Sequence, residues 1–263
     1  VDGSGVPSQT SFTVSDSDAD DAAAFVLTIE PFPDVNPAPA DTHILAGDVS
    51  NGSANVTVDH PAALGDDFTA STGSFILAAP SDTGNVGTYA NGIWYLTPPN
   101  PDAGLSLPTL PAGWVYEGWV VDTGTGTPIS TGTFASVTGA DSDGGGATAG
   151  PGGTPPFPGQ DFITPLRDLT AAHLAVISIE PMPDNAATPF TLKPLVASII
   201  DPGAAGVSQA MNNNAAATNP SGQVILIGAG SGGPQTVPTL GFYAMMLLLL
   251  GVGFMARGQF IKN

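Results

Sequence analysis

From Val237 to Ala256 the chain carries no charged side chain in twenty positions, and no other stretch limits the fold as strongly. At about 1.5 Å per residue a helix of that length reaches about 30 Å, the thickness of a bilayer's hydrocarbon core. The sequence therefore predicts a single transmembrane α-helix over 237–256, one large domain before it and a short tail, 257–263, after it. Arg257 and Lys262 are the charges that flank the span. By the positive-inside rule they set the tail in the cytoplasm and the domain outside, periplasmic or extracellular. That is the topology of a single-pass protein of the cell envelope. Val1 in place of Met reads as the mark of signal-peptide removal.

Ahead of the span the charges are one-sided. All 23 acidic residues lie at or before Asp201, against two basic residues there, Arg167 and Lys193, so the domain's formal charge is −21. Such a surface repels phosphate backbones, which excludes nucleic acid as a partner and leaves cationic, neutral or metal-ion partners. Twenty of the acids are Asp and three are Glu, a choice that suits turns better than helix faces. The chain has no cysteine, which removes disulfides and thiol catalysis from consideration.

Short β-branched and aromatic runs bounded by Gly, Pro, Asn or Asp recur along the domain: Ala24–Ile29, Ala54–Val58, Gly73–Ala79, Gly92–Thr97, Trp114–Asp122, Pro128–Val137 and Gln223–Ile227. Their spacing is that of a sandwich or barrel, so the predicted class is all-β. Leu166–Leu174 has room for one or two helical turns. Residues 1–24 read as a flexible N-terminus or edge strand with a short apolar segment at Ser11–Val14, 25–227 as the ectodomain, and 228–236 as a linker. The glycine-rich stretch 144–153 reads as a long loop inside the domain.

A repeat runs through the ectodomain at a constant offset of 150 residues. It aligns Ile29 with Ile179, Glu30 with Glu180, Pro31 with Pro181, Pro33 with Pro183, Asp34 with Asp184, Pro39 with Pro189 and Leu45 with Leu195. The spacing exceeds a solenoid unit and indicates either two related halves or two equivalent strands of one sandwich. Glu30 and Glu180, each between an apolar strand and a proline, are expected to accept hydrogen bonds from turn N–H groups.

Leu110–Asp122 (LPAGWVYEGWVVD) followed by Gly126–Phe134 (GTPISTGTF), together with the late SIEPMPD segment from Ser178 and Pro189, resembles the C-terminal extracytoplasmic domain of anti-sigma-K-type factors. The matches cover about half the ectodomain. The resemblance implies an Ig-like β-sandwich with Trp119 and Phe134 in its core. Members that regulate sigma factors carry a helical binding domain on the cytoplasmic side, for which 257–263 is too short, so it implies fold and not activity. Val237-Pro238-Thr239-Leu240 resembles the opening of an IPTL-type C-terminal sorting signal, in which a Pro-Thr-Leu motif begins a hydrophobic helix that ends in basic residues, here Arg257. Those residues form the expected membrane anchor.

Candidate chemistry is sparse. Val224–Gly233 has glycines at dinucleotide-loop spacing, but Pro234 and the span follow where a helix N-terminus would have to hold the pyrophosphate, so it reads as linker. Asp16, Asp18 and Asp20 offer oxygens at alternating positions, as calcium loops do, while the sixth and twelfth positions of that frame are Asp21 and Leu27 rather than Gly and Glu. They are weak calcium candidates, with Asp141 and Asp143 a weaker case of the same kind. His43, His60 and His173 share no metal-ligand spacing. Trp94, Tyr95, Trp114, Tyr116 and Trp119 suit either the core or the floor of a pocket. No cofactor and no catalytic constellation is expected. The predicted role is a non-enzymatic, membrane-anchored extracytoplasmic subunit whose partners are other membrane or surface proteins. A sensor or regulator akin to the anti-sigma ectodomains, and a sortase-type processed surface protein, are the alternatives.

Overall fold

The computed structural model describes residues 9–31, 33–82, 88–142, 157–184, 186–227 and 255–262, with Asp16 and the last segment described for their backbone alone. In chain order the strands are β1 (Ala22–Glu30), β2 (His43–Asp48), β3 (Ser53–Thr57), β4 (Thr72–Leu77), β5 (Ile93–Trp94), β6 (Leu96–Thr97), β7 (Asp102–Ala103) and β8 (Leu105–Ser106). They continue with β9 (Trp114–Asp122), β10 (Pro128–Phe134), β11 (Gly159–Gln160), β12 (His173–Pro181), β13 (Leu195–Ser198), β14 (Ser208–Asn213), β15 (Ser221–Ile225) and β16 (Met255–Lys262). Among the described residues helix is confined to α1 (Asp16–Asp20), α2 (Ala215–Thr218) and a 3-10 turn at Thr88–Asn91. The fold is all-β, as the punctuated apolar runs require.

One sheet has five strands in the order β15-β3-β2-β1-β16. A second has nine, β10-β9-β12-β13-β14-β4-β5-β11 with β8 beside β4, and β6 and β7 form a small ribbon. The β2–β3 hairpin is closed by Asn51 and Gly52, both at positive φ (52° and 73°), the geometry an Asn-Gly turn supplies without strain. The end strands of the larger sheet, β10 and β11, come into contact. A bulge between Ser130 and Thr133 bends β10 around Gly132, whose φ is 103°. A Cβ on Gly132 would lie 2.6 Å from Asp141 Cγ, so the glycine lets that carboxylate tuck in and accept the Gly159 N–H of β11 at 2.8 Å. The nine-stranded sheet therefore nearly closes on itself, more strongly curved than the Ig-like sandwich expected from the sequence. One apolar core joins the two sheets, with Leu45, Ala54 and Val56 from the smaller and Phe75, Tyr116, Ile177 and Leu195 from the larger.

The 150-residue repeat is a repeated hairpin with the same register. Phe25, Val26 and Leu27 pair with Gly47, Ala46 and Leu45; Ala175, Val176 and Ile177 pair with Ala197, Val196 and Leu195. The clamp beyond each strand repeats too. Glu30 Oε1 accepts from Thr28 Oγ1 at 2.6 Å and from the Ala40 N–H at 3.0 Å, while Glu180 Oε1 accepts from Ser178 Oγ and from the Phe190 N–H at 2.8 Å. Asp34 and Asp184 each accept from the N–H two residues on, at 3.0 and 2.8 Å. Both glutamates thus tie strand to turn, the role their position before proline indicates. On its other side β12 is covered by β9, and β1 is covered in the equivalent place by β16.

Several segments differ from expectation. Leu166–Leu174 forms no helix: Asp168 accepts from Thr170 N and Oγ1 in a local turn, and the chain then enters β12. Ser11–Val14 forms no strand, and Phe12 is exposed. β14 carries no apolar alternation, with Gln209 and Met211 facing inward between polar neighbours, which hid it in an Ala- and Asn-rich stretch. No helix among the described residues is long and apolar enough to cross a membrane. Positions 237–254 of the expected span, the linker 228–236 and the loop 144–153 lie outside the described residues. Met255 and Ala256, expected to end the span, and 257–262, expected beyond it, run instead as β16 antiparallel to β1, with Thr28 opposite Arg257. This pairing occupies an edge whose N–H and C=O groups otherwise have no strand partner.

Candidate functional site

β9 has two buried faces, and its alternation separates them. Trp114, Tyr116 and Val120 point into the main core, where Tyr116 stacks on Phe134 with ring centroids 5.6 Å apart. Gly118 lies on that same face, and a Cβ there would stand 2.9 Å from the Tyr95 ring. Val115, Glu117 and Trp119 take the opposite face. In register, Glu117 lies opposite Ser178 of β12 and Val115 opposite Glu180, so both glutamates share that face. Glu117 is 4 % exposed and Glu180 fully buried.

Hydrogen bonds hold one oxygen of each glutamate. Glu117 Oε1 accepts from Ser130 Oγ of β10, and Glu180 Oε1 from Ser178 Oγ and the Phe190 N–H. Ser178 Oγ in turn accepts from Trp119 Nε1 at 2.8 Å, which fixes the rotamer of the serine. No N–H or hydroxyl among the described residues donates to the other oxygen, Oε2, of either glutamate, and Glu117 lies within side-chain hydrogen-bonding reach of the Asp184 carboxyl. Asp184, half-buried just beyond β12, completes the group: Glu117, Glu180 and Asp184 each present a carboxylate oxygen within 4.8 Å of the others. Among the described residues this is the one set of three acidic or histidine side chains placed to share an ion.

Burial raises the carboxyl of Glu117 to about 9, with the neighbouring carboxyls of Asp184 and Glu180 adding to the shift. Burial likewise raises Glu180 to about 7, against the lowering effect of Ser178 and the Phe190 N–H. Lys193 is the nearby cation; burial lowers its own pKa while Glu180 opposes that shift. No lysine or arginine forms an ion pair with an acid among the described residues.

The candidates read from the sequence are dispersed. Asp16–Asp20 form one helical turn capped by Ser15, whose Oγ donates to Asp18 Oδ2 at 2.7 Å, so the run is a helix rather than an open oxygen-lined loop. Asp141 serves the barrel closure described above, and Asp143 lies outside the described residues. His43 Nδ1 is 2.8 Å from the Ala62 carbonyl, His60 Nε2 is 3.2 Å from Asp48, and His173 is buried on β12; none belongs to the three-carboxylate group. Trp94, Tyr95, Trp114, Tyr116 and Trp119 are all buried and contribute to packing. A surface depression of about 360 Å³ between Asn51–Ser53 and Gln223–Ile227 holds no titratable side chain. Val237, Pro238, Thr239 and Leu240 lie outside the described residues, and Arg257 is on β16. Sequence reading missed Glu117 as a partner of Glu180, although a lone acid inside an apolar strand was a signal. No family model, curated protein or solved structure matches the chain.

Proposed function

We propose that the protein is a non-enzymatic, membrane-anchored extracytoplasmic subunit of a larger envelope or surface assembly. The observation that carries this reading is the uncharged stretch 237–256, preceded by a domain of formal charge −21 and followed by Arg257 and Lys262. The Ig-like kinship of the ectodomain belongs to the same proposal, supported by the main apolar core shared between two antiparallel sheets. The processed-surface reading rests on Val237-Pro238-Thr239-Leu240, and loss of the last 25 or so residues by intact mass would favour it.

Two placements of the C-terminal segment exclude each other. If 237–256 spans a bilayer, 257–263 lies beyond it and cannot run beside β1. In the anchored state β1 then presents a nine-residue edge, equivalent to the edge of β12 that β9 covers. A strand from a partner subunit would add there, by main-chain hydrogen bonds. The chain has no cysteine, so the double variant Thr28→Cys, Arg257→Cys reports the placement directly. Cross-strand Cα atoms about 5 Å apart form a disulfide readily. In native membranes the anchored reading expects no disulfide between the two introduced thiols, and efficient bond formation there would overturn it.

A further inference from the structure

We infer that Glu117, Glu180 and Asp184 form a binding site for a hard divalent cation, with calcium the best-suited ion. Three carboxylates converge, and the two buried ones each keep one oxygen that no N–H or hydroxyl among the described residues meets. These two oxygens face one another and Asp184, so a cation placed among them would meet all three at once. Here Ser130, Ser178, Trp119 and the Phe190 N–H hold the opposite oxygens and orient the carboxylates, which is how the partners of metal ligands act.

Charge and size agree on the class of ion. With all three carboxyls ionised, as ligation requires, the group and the neighbouring Lys193 sum to a formal −2, which one divalent cation neutralises as it displaces the protons held without it. An all-oxygen donor set selects hard cations. Calcium, with ligand oxygens at about 2.4 Å, spans carboxylate oxygens up to about 4.8 Å apart without requiring octahedral regularity, whereas magnesium demands a tighter shell. Asp184 is the half-buried member and marks the solvent side, from which water completes the coordination.

The repeat supplies an internal comparison: Glu30 has the same clamp as Glu180, but among the described residues it belongs to no group of three convergent acids, whereas Glu180 is joined by Glu117, opposite Ser178 on β9, and by Asp184. The site is independent of how the chain is anchored, so its failure and that of the anchored-subunit reading are separate results.

The test uses the full chain in detergent, stripped with EDTA at pH 7.5. Calcium chloride at about a hundredfold excess over Kd should raise Tm by about 6 °C. Terbium should give emission sensitised by Trp119, which reaches the site through Ser178. Glu117→Gln and Asp184→Asn should reduce the calcium shift at least threefold, Glu30→Gln should leave it intact, and Trp119→Phe should lower the terbium emission at least fivefold. Absence of a shift, an undiminished shift in both Glu117→Gln and Asp184→Asn, or full emission in Trp119→Phe would overturn the site. The emission keeps the test decisive if one carboxylate variant fails to fold.

Discussion

Deleting residues 237–263 is expected to move the protein almost entirely from the membrane fraction to the soluble fraction, while its ectodomain keeps its far-UV signature. The effect is all-or-none on the proposed reading, in which the twenty uncharged residues anchor the chain and the acidic domain has no affinity of its own for anionic headgroups. A single change inside the segment grades the same effect. Leu248→Arg places a charge near the middle of the span at a cost of about 3 kcal/mol, enough to impair insertion severely. Carbonate extraction followed by immunoblotting reads both variants, and full retention of the deletion variant in the pellet would contradict the anchor.

Adjacent residues of β9 should respond in opposite directions. Tyr116→Ala empties a core position stacked on Phe134 and should cost about 4 kcal/mol, or about 10 °C in Tm, at any pH. Glu117→Gln keeps the shape and the Ser130 hydrogen bond while removing a buried acid that faces Glu180 and Asp184. The sign follows from linkage. Both glutamates have folded-state pKa values raised above the unfolded one near 4.5, to about 9 and about 7. The folded chain therefore holds more protons than the unfolded chain between those limits, and stability falls as pH rises from about 5 to about 9. In EDTA the parent protein should melt lower at pH 9 than at pH 5, and Glu117→Gln should flatten that slope and melt above the parent at pH 9. Thermal melts by circular dichroism across this range check both; a slope that Glu117→Gln leaves unchanged would show that the carboxylate titrates elsewhere.

The elements legible in the sequence were those with local punctuation. Trp114–Asp122 became β9 over the same residues, and the glutamate-proline clamps at Glu30 and Glu180 form as their position between strand and turn requires. The constant 150-residue offset was also legible, and its meaning, two hairpins of one register, emerged once Leu27 met Leu45 and Ile177 met Leu195. Less local features were not. β14 is held by its neighbours β13 and β4 rather than by its own apolar pattern, and barrel closure depends on Gly132 and Asp141 meeting Gly159 across a long connection. The carboxylate centre unites residues 117, 180 and 184 through the β9–β12 register, which a linear reading does not contain. Asp16, Asp18 and Asp20 drew attention by spacing, yet Ser15 turns that run into a capped helical turn. Spacing along a chain identifies a site when one loop or helix carries it, and here two strands and a turn carry it.

The claim that joins these observations is that the ectodomain serves an assembly, held by its anchor and offering the edge of β1. The direct measurement is the mass of the particle released from native membranes by mild detergent, read by native mass spectrometry. The account predicts a complex of defined stoichiometry, heavier than the 26.2 kDa chain, that falls apart when the β1 edge is blocked by Val26→Pro or Thr28→Pro. Release of the chain as a free monomer under those conditions would contradict it.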